Sequence, residues 1–157
     1  MVLHASAVPA LPAAPARPTR ALSSPVTRLR QMKTLAKNFK ATLLGWNADN
    51  SEREELRPMS RPIYRYKIKE PDKVQDGALF AYATGTDPEV LLVIEAFGEA
   101  GAYEWQYAFV RRSSGGLEGR FRDRLVWSAN KHPPQKNPTL NHVSFSRQLD
   151  EVLASGE

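Results

Sequence analysis

Glu95 closes the apolar run Val90, Leu91, Leu92, Val93 and Ile94. On a strand it would share a face with Leu91 and Val93, and an apolar flank of that kind raises a carboxyl pKa and suits a general base. The plainer reading is a rim carboxylate paired with Arg65 or Arg111, since structural ion pairs perturb carboxylates as readily as active sites do. Glu95 is therefore the one catalytic candidate, and the ion pair is the expectation. Asp76 and Asp87 each sit beside a turn-former, Gly77 and Pro88, which predicts that they accept hydrogen bonds from nearby backbone.

Other chemistries lack their residues. The histidines are His4, His132 and His142, with no HxH or HxxxH spacing. With no cysteine in the chain, disulfides, thiolate nucleophiles and sulfur-ligated zinc are excluded, and no metal site is expected. Ser113 and Ser114 precede glycines without a nearby histidine, and no G-x-S-x-G elbow, phosphate loop or dinucleotide fingerprint occurs, so no cofactor is expected. Proline at 138 disqualifies Asn137 as a glycosylation acceptor.

The aromatic residues offer a second kind of site. Tyr103, Trp105, Tyr107 and Phe109 alternate along one segment, with Phe80, Tyr82, Tyr64 and Tyr66 nearby in the pattern. Such a set can line a cavity for an apolar ligand or stack bases, and Tyr64, Tyr66, Tyr82, Trp105 and Tyr107 are the ligand-binding candidates. The competing reading is a filled core, because a half-buried sheet requires aromatics at strand period. Arg120, Arg122 and Arg124 resemble a basic row, but a turn at Arg122-Asp123 would keep them from sharing one face.

The elements that must position these residues are mostly strands. The chain has 157 residues and 12 prolines, with 22 Lys and Arg against 17 Asp and Glu, a length suited to one domain with tails. Seven of the cations and none of the acids lie before residue 47, leaving 15 cations against all 17 acids in the remainder. The positive balance thus belongs to an N-terminal arm, read as a solubilising or targeting segment, rather than to a folded face that would meet phosphate. This argues against nucleic acid as a partner. Residues 1–26, rich in Ala, Pro and Arg, are expected to be disordered. Ala5-Ser6-Ala7 has the form of a signal-peptidase site but lacks a charged and an apolar region before it. The location reads as cytoplasmic as written, or exported if the true start lies upstream. No run of ~18 apolar residues is present to span a membrane as a helix.

Residues 27–39 read as an amphipathic helix with Thr27 as N-cap. Leu29, Met32, Leu35, Ala36 and Phe39 form its apolar stripe, and Arg28, Arg30, Lys33 and Lys37 its polar face. Strands follow at 40–46, 54–56, 63–68, 78–84, 89–96, 103–111, 117–121 and 124–127. Pro58 and Pro62 mark the third of these as an edge or bent strand. Gly85-Thr86-Asp87-Pro88 gives the clearest hairpin. The spacings leave no room for the crossover helices of a parallel sheet. Residues 129–157 read as a loop and a weakly structured tail, with Phe145, Leu149 and Val152 on a final helix. The fold class is mainly β (α+β): an antiparallel β-meander forming a curled sheet or small barrel, with one N-terminal helix, in a single domain over 27–128.

Five groups of residues carry a resemblance. They are Arg61 to Tyr66; Asp76-Gly77-Ala78-Leu79-Phe80-Ala81; and Gly85-Thr86-Asp87-Pro88-Glu89 running on to Ala96, followed by Trp105-Gln106-Tyr107-Ala108 and Val126-Trp127. Over about residues 28–128 the chain resembles an uncharacterised family of small proteins found chiefly in planctomycete-type bacteria. The resemblance implies no assigned activity and no catalytic residue. Its members often look exported, with a leader ahead of the helix, from which this proline-rich start departs. The function expected is a non-catalytic accessory or binding module, recruited to an unidentified protein. The alternative is a lipocalin-like carrier of a small apolar ligand, and an enzyme using Glu95 is the least expected reading.

Overall fold

The computed structural model describes residues 20–45, 52–66 and 73–131, and the backbone of 144–148. Among the described residues one helix, α1 (Pro25–Ala36), precedes ten strands: β1 (Phe39–Leu44), β2 (Arg53–Glu55), β3 (Arg57–Pro58), β4 (Tyr64–Tyr66), β5 (Val74–Thr84), β6 (Asp87–Glu99), β7 (Ala102–Arg111), β8 (Gly116–Phe121), β9 (Arg124–Ala129) and β10 (Ser144–Gln148). All the strand pairs are antiparallel. The larger sheet runs β10-β7-β6-β5-β3, with β4 also on β5, and the smaller runs β2-β1-β8-β9. Together they make a curled half-barrel.

The meander holds from β5 to β7 and from β8 to β9. Between these pieces the chain leaves the larger sheet, and β8 pairs with β1 instead. Arg111, the last residue of β7, is buried and holds this crossing together. Its guanidinium donates to the carbonyls of Ser113 (2.9 Å), Gly115 (2.8 Å) and Asn130 (2.9 Å). Burial alone lowers its pKa.

Both expected turns form. Gly85, at φ 57°, joins Thr84 to Asp87 in a two-residue β5–β6 connection, a conformation that costs glycine little. Arg122 and Asp123 carry φ 47° and 67° between β8 and β9, as a primed hairpin turn requires. The proline-flanked segments do lie at an edge: β3 ends the larger sheet and β4 pairs with β5 alone.

The helix begins two residues before the expected N-cap and ends three residues early. Pro25 occupies the first turn, where its missing N–H would have had no partner. Thr27 donates its hydroxyl to the Ser24 carbonyl (2.7 Å) rather than capping. Phe39 opens β1 instead of closing the helix. Residues 20–26, placed from sequence in a disordered arm, are held: Arg20 bridges to Glu104, and Ala21 N–H donates to the Tyr103 carbonyl at 2.9 Å. Phe145, expected on a helix, belongs to β10, whose backbone pairs with β7 at Phe109. Trp46, Ile68, Leu149, Val152, His132 and His142 lie outside the described residues.

The concave side is filled. Phe80, Tyr82, Val90, Leu92, Ile94, Trp105, Tyr107 and Phe109 are buried there with Met32, Leu35 and Phe39 from the helix side. Phe39 packs its ring on Tyr107 (4.9 Å between centroids) and Phe121 (4.8 Å), and Phe109 stacks on Trp127 (5.3 Å). Gly119 of β8 lies flat against this stack, and a Cβ there would come 2.7 Å from the Phe109 ring. The ring has no free side to retreat into. Gly119→Ala is expected to cost about 1–3 kcal/mol, read as a lower urea midpoint with unchanged slope.

Candidate functional site

The described residues hold two arrangements of polar groups beyond ordinary pairing. The first is a buried cluster where the start of α1 meets β4 and β5. Asp76 is completely buried. Its Oδ2 accepts from Arg28 Nε at 2.9 Å and from Arg65 Nη2 at 2.6 Å, and its Oδ1 accepts from Arg65 Nε at 3.0 Å. The guanidiniums turn their remaining donors to backbone: Arg28 Nη1 to the carbonyls of Leu22 (3.1 Å) and Ser23, and Arg65 Nη2 to Pro25 (2.6 Å). Burial presses the Asp76 pKa upward, but the hydrogen bonds from Arg65 and Arg28 more than reverse it and hold the carboxyl below its ordinary value.

This corrects two sequence expectations. Asp76 makes side-chain ion pairs, not a turn contact with neighbouring backbone. Arg28, assigned to the polar face of the helix, is buried instead. It lies one turn before Met32, on the side that meets the sheet, so the helix approaches the sheet through a cation as well as through its apolar stripe.

On the convex face of the same sheet, Tyr66, Gly77, Glu95 and Gln106 stand in one row across β4, β5, β6 and β7. Gly77 leaves room for the Tyr66 ring, whose atoms a Cβ at that position would meet at 2.4 Å. The ring crosses the gap, and its hydroxyl donates to Glu95 Oε1. Gln106 Nε2 donates to Glu95 Oε2 at 2.9 Å. Burial, then the hydrogen bond and charge of Glu95, and last the charge of Asp76 push the Tyr66 pKa above its ordinary value. Glu95 does share a face with Leu91 and Val93, as expected. Neither expected cation reaches it: Arg65 is taken by Asp76, and Arg111 by carbonyls. A phenol and an amide hold the carboxylate in their place.

The five ligand-binding candidates do not form one cluster. Tyr82, Trp105 and Tyr107 are buried in the concave core, whereas Tyr66 is half-buried on the convex face and Tyr64 is 61% exposed, stacked on Tyr66 at 6.1 Å. Arg120, Arg122 and Arg124 make no basic row. Arg120 pairs with Glu118 (3.1 Å) and the Asp123 carbonyl (2.9 Å), and Arg122 lies over the Phe121 ring. No group of three metal-ligating side chains occurs among the described residues.

Apart from these two polar arrangements, a groove runs between the C-terminal half of α1 and the β3–β5 edge, with a volume of about 500 Å³. Phe39, Phe80 and Tyr82 form its floor, Pro58, Met59 and Ser60 one wall, and Lys33, Ala36 and Lys37 the other. Tyr82 fixes the helix end above it, its hydroxyl donating to the carbonyls of Phe39 (3.2 Å) and Ala36 (3.4 Å). Burial pushes that phenol's pKa up. Sequence reasoning found Tyr82 but missed the groove, because the β3 and Met59 wall is polar or proline-bearing and carries no periodic signal.

The chain matches no family model, no curated protein and no solved structure.

Removing the Asp76 carboxylate leaves two guanidiniums without a counter-ion, so Asp76→Ala is expected to cost about 3–5 kcal/mol. A carboxyl held below its ordinary pKa contributes stability that is present above the unfolded value, near 4, and is lost as pH falls through the folded one. Wild-type stability should therefore fall more steeply below about pH 4 than that of Asp76→Asn, as chemical denaturation across pH 2.5–7 would show.

Proposed function

We propose that the protein is a non-catalytic binding module whose working surface is the groove beside α1. One observation carries the reading. The concave side of the half-barrel is packed with Trp105, Tyr107, Phe109 and Leu92, each at most 1% exposed, while the groove is open, its accessible surface coming from Lys33, Ala36, Lys37, Pro58, Met59 and Ser60 above the buried rings of Phe39, Phe80 and Tyr82. Its volume falls within the ~300–1,000 Å³ of small-ligand sites, which are mostly apolar with a few polar groups at the edge. Met59, on the wall, is 39% exposed, and an unbranched thioether side chain adapts readily to varied apolar shapes.

The narrower reading, a carrier of a small apolar ligand, uses the same groove. Cargo would lie against the sheet edge under the helix rather than inside a closed barrel as in a lipocalin. Catalysis by Glu95 has less support. Both of its oxygens accept hydrogen bonds, and a general base there would first have to be released by Tyr66 and Gln106. Membership of the planctomycete-type family, and with it a bacterial source, rests on the strings at residues 76–81 and 85–89 and belongs to the same proposal.

Titration with the neutral fluorescent probe N-phenyl-1-naphthylamine is the test. Saturable one-to-one binding is expected, with stabilisation of about 2.7 kcal/mol at a hundredfold excess over Kd. Ser60→Trp, which places a large ring on an exposed wall position, should abolish the binding, and Glu95→Gln should leave it unchanged. Absence of saturable binding, or binding that Ser60→Trp does not alter, would remove the groove as the working surface.

A further inference from the structure

The groove has a charge asymmetry that an apolar ligand alone does not use. Lys33, in the last turn of α1, and Lys37, which caps it, are four residues apart and stand together on one wall, where like charges at this spacing repel each other. No acidic residue lines the groove among the described residues. Of the other described cations, Lys40 pairs with Asp123, Arg53 with Glu118, and Arg28 and Arg65 with Asp76, while Arg57 donates to the Gly85 carbonyl and the exposed Arg61 does not line the groove. Neither Lys33 nor Lys37 has an ion pair or a side-chain hydrogen bond among the described residues. Two uncompensated ammonium groups therefore overlook an aromatic floor, with a single hydroxyl, that of Ser60, on the opposite wall.

From this juxtaposition we infer that the groove takes a single-chain anionic amphiphile, a monomeric fatty carboxylate, with its aliphatic chain along Ala36, Pro58 and Met59 above the buried aromatic floor and its head between Lys33 and Lys37. The inference rests on the groove being the binding surface and names the ligand class for it. Desolvating an acyl chain against the floor supplies the non-directional part of the affinity. The carboxylate relieves the lysine repulsion and accepts charge-assisted hydrogen bonds. Long flexible lysine stems let the two ammonium groups converge on one head while their methylenes cover the chain. The groove is recessed between a helix and an edge strand, which suits one chain rather than a bilayer surface.

A competing role for the lysines is to complement the negative end of the helix dipole, since Lys33 lies in the last turn. That role affects stability and is indifferent to ligand charge. Calorimetric titration of the full chain with decanoate, decanol and decyltrimethylammonium separates the two. Decanoate is expected to bind one-to-one, about tenfold tighter than decanol, as two partly exposed ion pairs allow, with the cation weakest. Lys33→Gln with Lys37→Gln should bring decanoate down to the decanol affinity, with a much larger loss for decanoate than for decanol, and with circular dichroism confirming the fold. Raising salt from 0.05 to 0.5 M should weaken decanoate alone.

Equal affinity for decanoate and decanol, or decanoate binding insensitive to the lysine changes, would overturn the fatty-carboxylate inference while leaving the groove as a binding surface. Failure of all three ligands, together with failure of the naphthylamine probe, would remove both. Lysine-dependent capture by phosphatidylglycerol vesicles without affinity for monomeric decanoate would also overturn it, assigning the lysines to a membrane surface.

Discussion

A carboxylate with no access to water stands where the helix meets the sheet, and the rest of the arrangement follows from how it is satisfied. An isolated ionised Asp76 would be prohibitively costly in that position. Two guanidiniums share it, one from α1 and one from edge strand β4. Two cations on one anion leave an excess positive charge, which is spread over the carbonyls of Leu22, Ser23 and Pro25. These are the residues that lead into the helix and its first turn. One buried acid thereby fixes three things at once: the entry of the chain, the start of α1 and the position of the short strand β4.

The groove is the consequence at the other end. The helix is tied to the sheet through Asp76 at its first turn and through the Tyr82 hydroxyl at the carbonyl of Ala36, its last residue. Between those ties, Met32 and Leu35 pack into the core. Beyond them the short β3 and the Met59 wall give the larger sheet an edge that the helix overhangs without closing. Arg111 solves a related problem at the junction of the two sheets, where its burial is satisfied by three carbonyls rather than by an acid. All three arginines, Arg28, Arg65 and Arg111, act as staples for irregular backbone, a use that suits the planar fork of donors on arginine.

Much of the fold could be read from local pattern. Tyr103, Trp105, Tyr107 and Phe109 alternate with polar or smaller residues, and a strand with one buried face has that period. Gly85 and the Arg122-Asp123 pair announced their turns by residue type, and Pro58 and Pro62 announced an edge. What escaped the sequence was long-range. Pairing of β1 with β8 joins segments more than seventy residues apart, and nothing local distinguishes that partner from β7. Arg28 looked solvent-facing because periodicity counts any cation as polar, although a paired arginine buries well. Asp76 looked like a turn residue because of Gly77, whose real service is to make room for Tyr66. Glu95 was placed on the correct face with the wrong partners, since a phenol two strands away leaves no trace in the spacing. The groove was illegible for the same reason, being made of three separate segments.

The dependence of the helix on Asp76 is tested most directly by residue-resolved hydrogen exchange on wild type and Asp76→Asn at neutral pH. Protection of the α1 amides from Leu29 to Ala36, and of the Ala21 amide, should fall sharply in the variant, while the amides paired between β5, β6 and β7 keep theirs. An equal loss across helix and sheet, or unchanged protection in α1, would contradict the account.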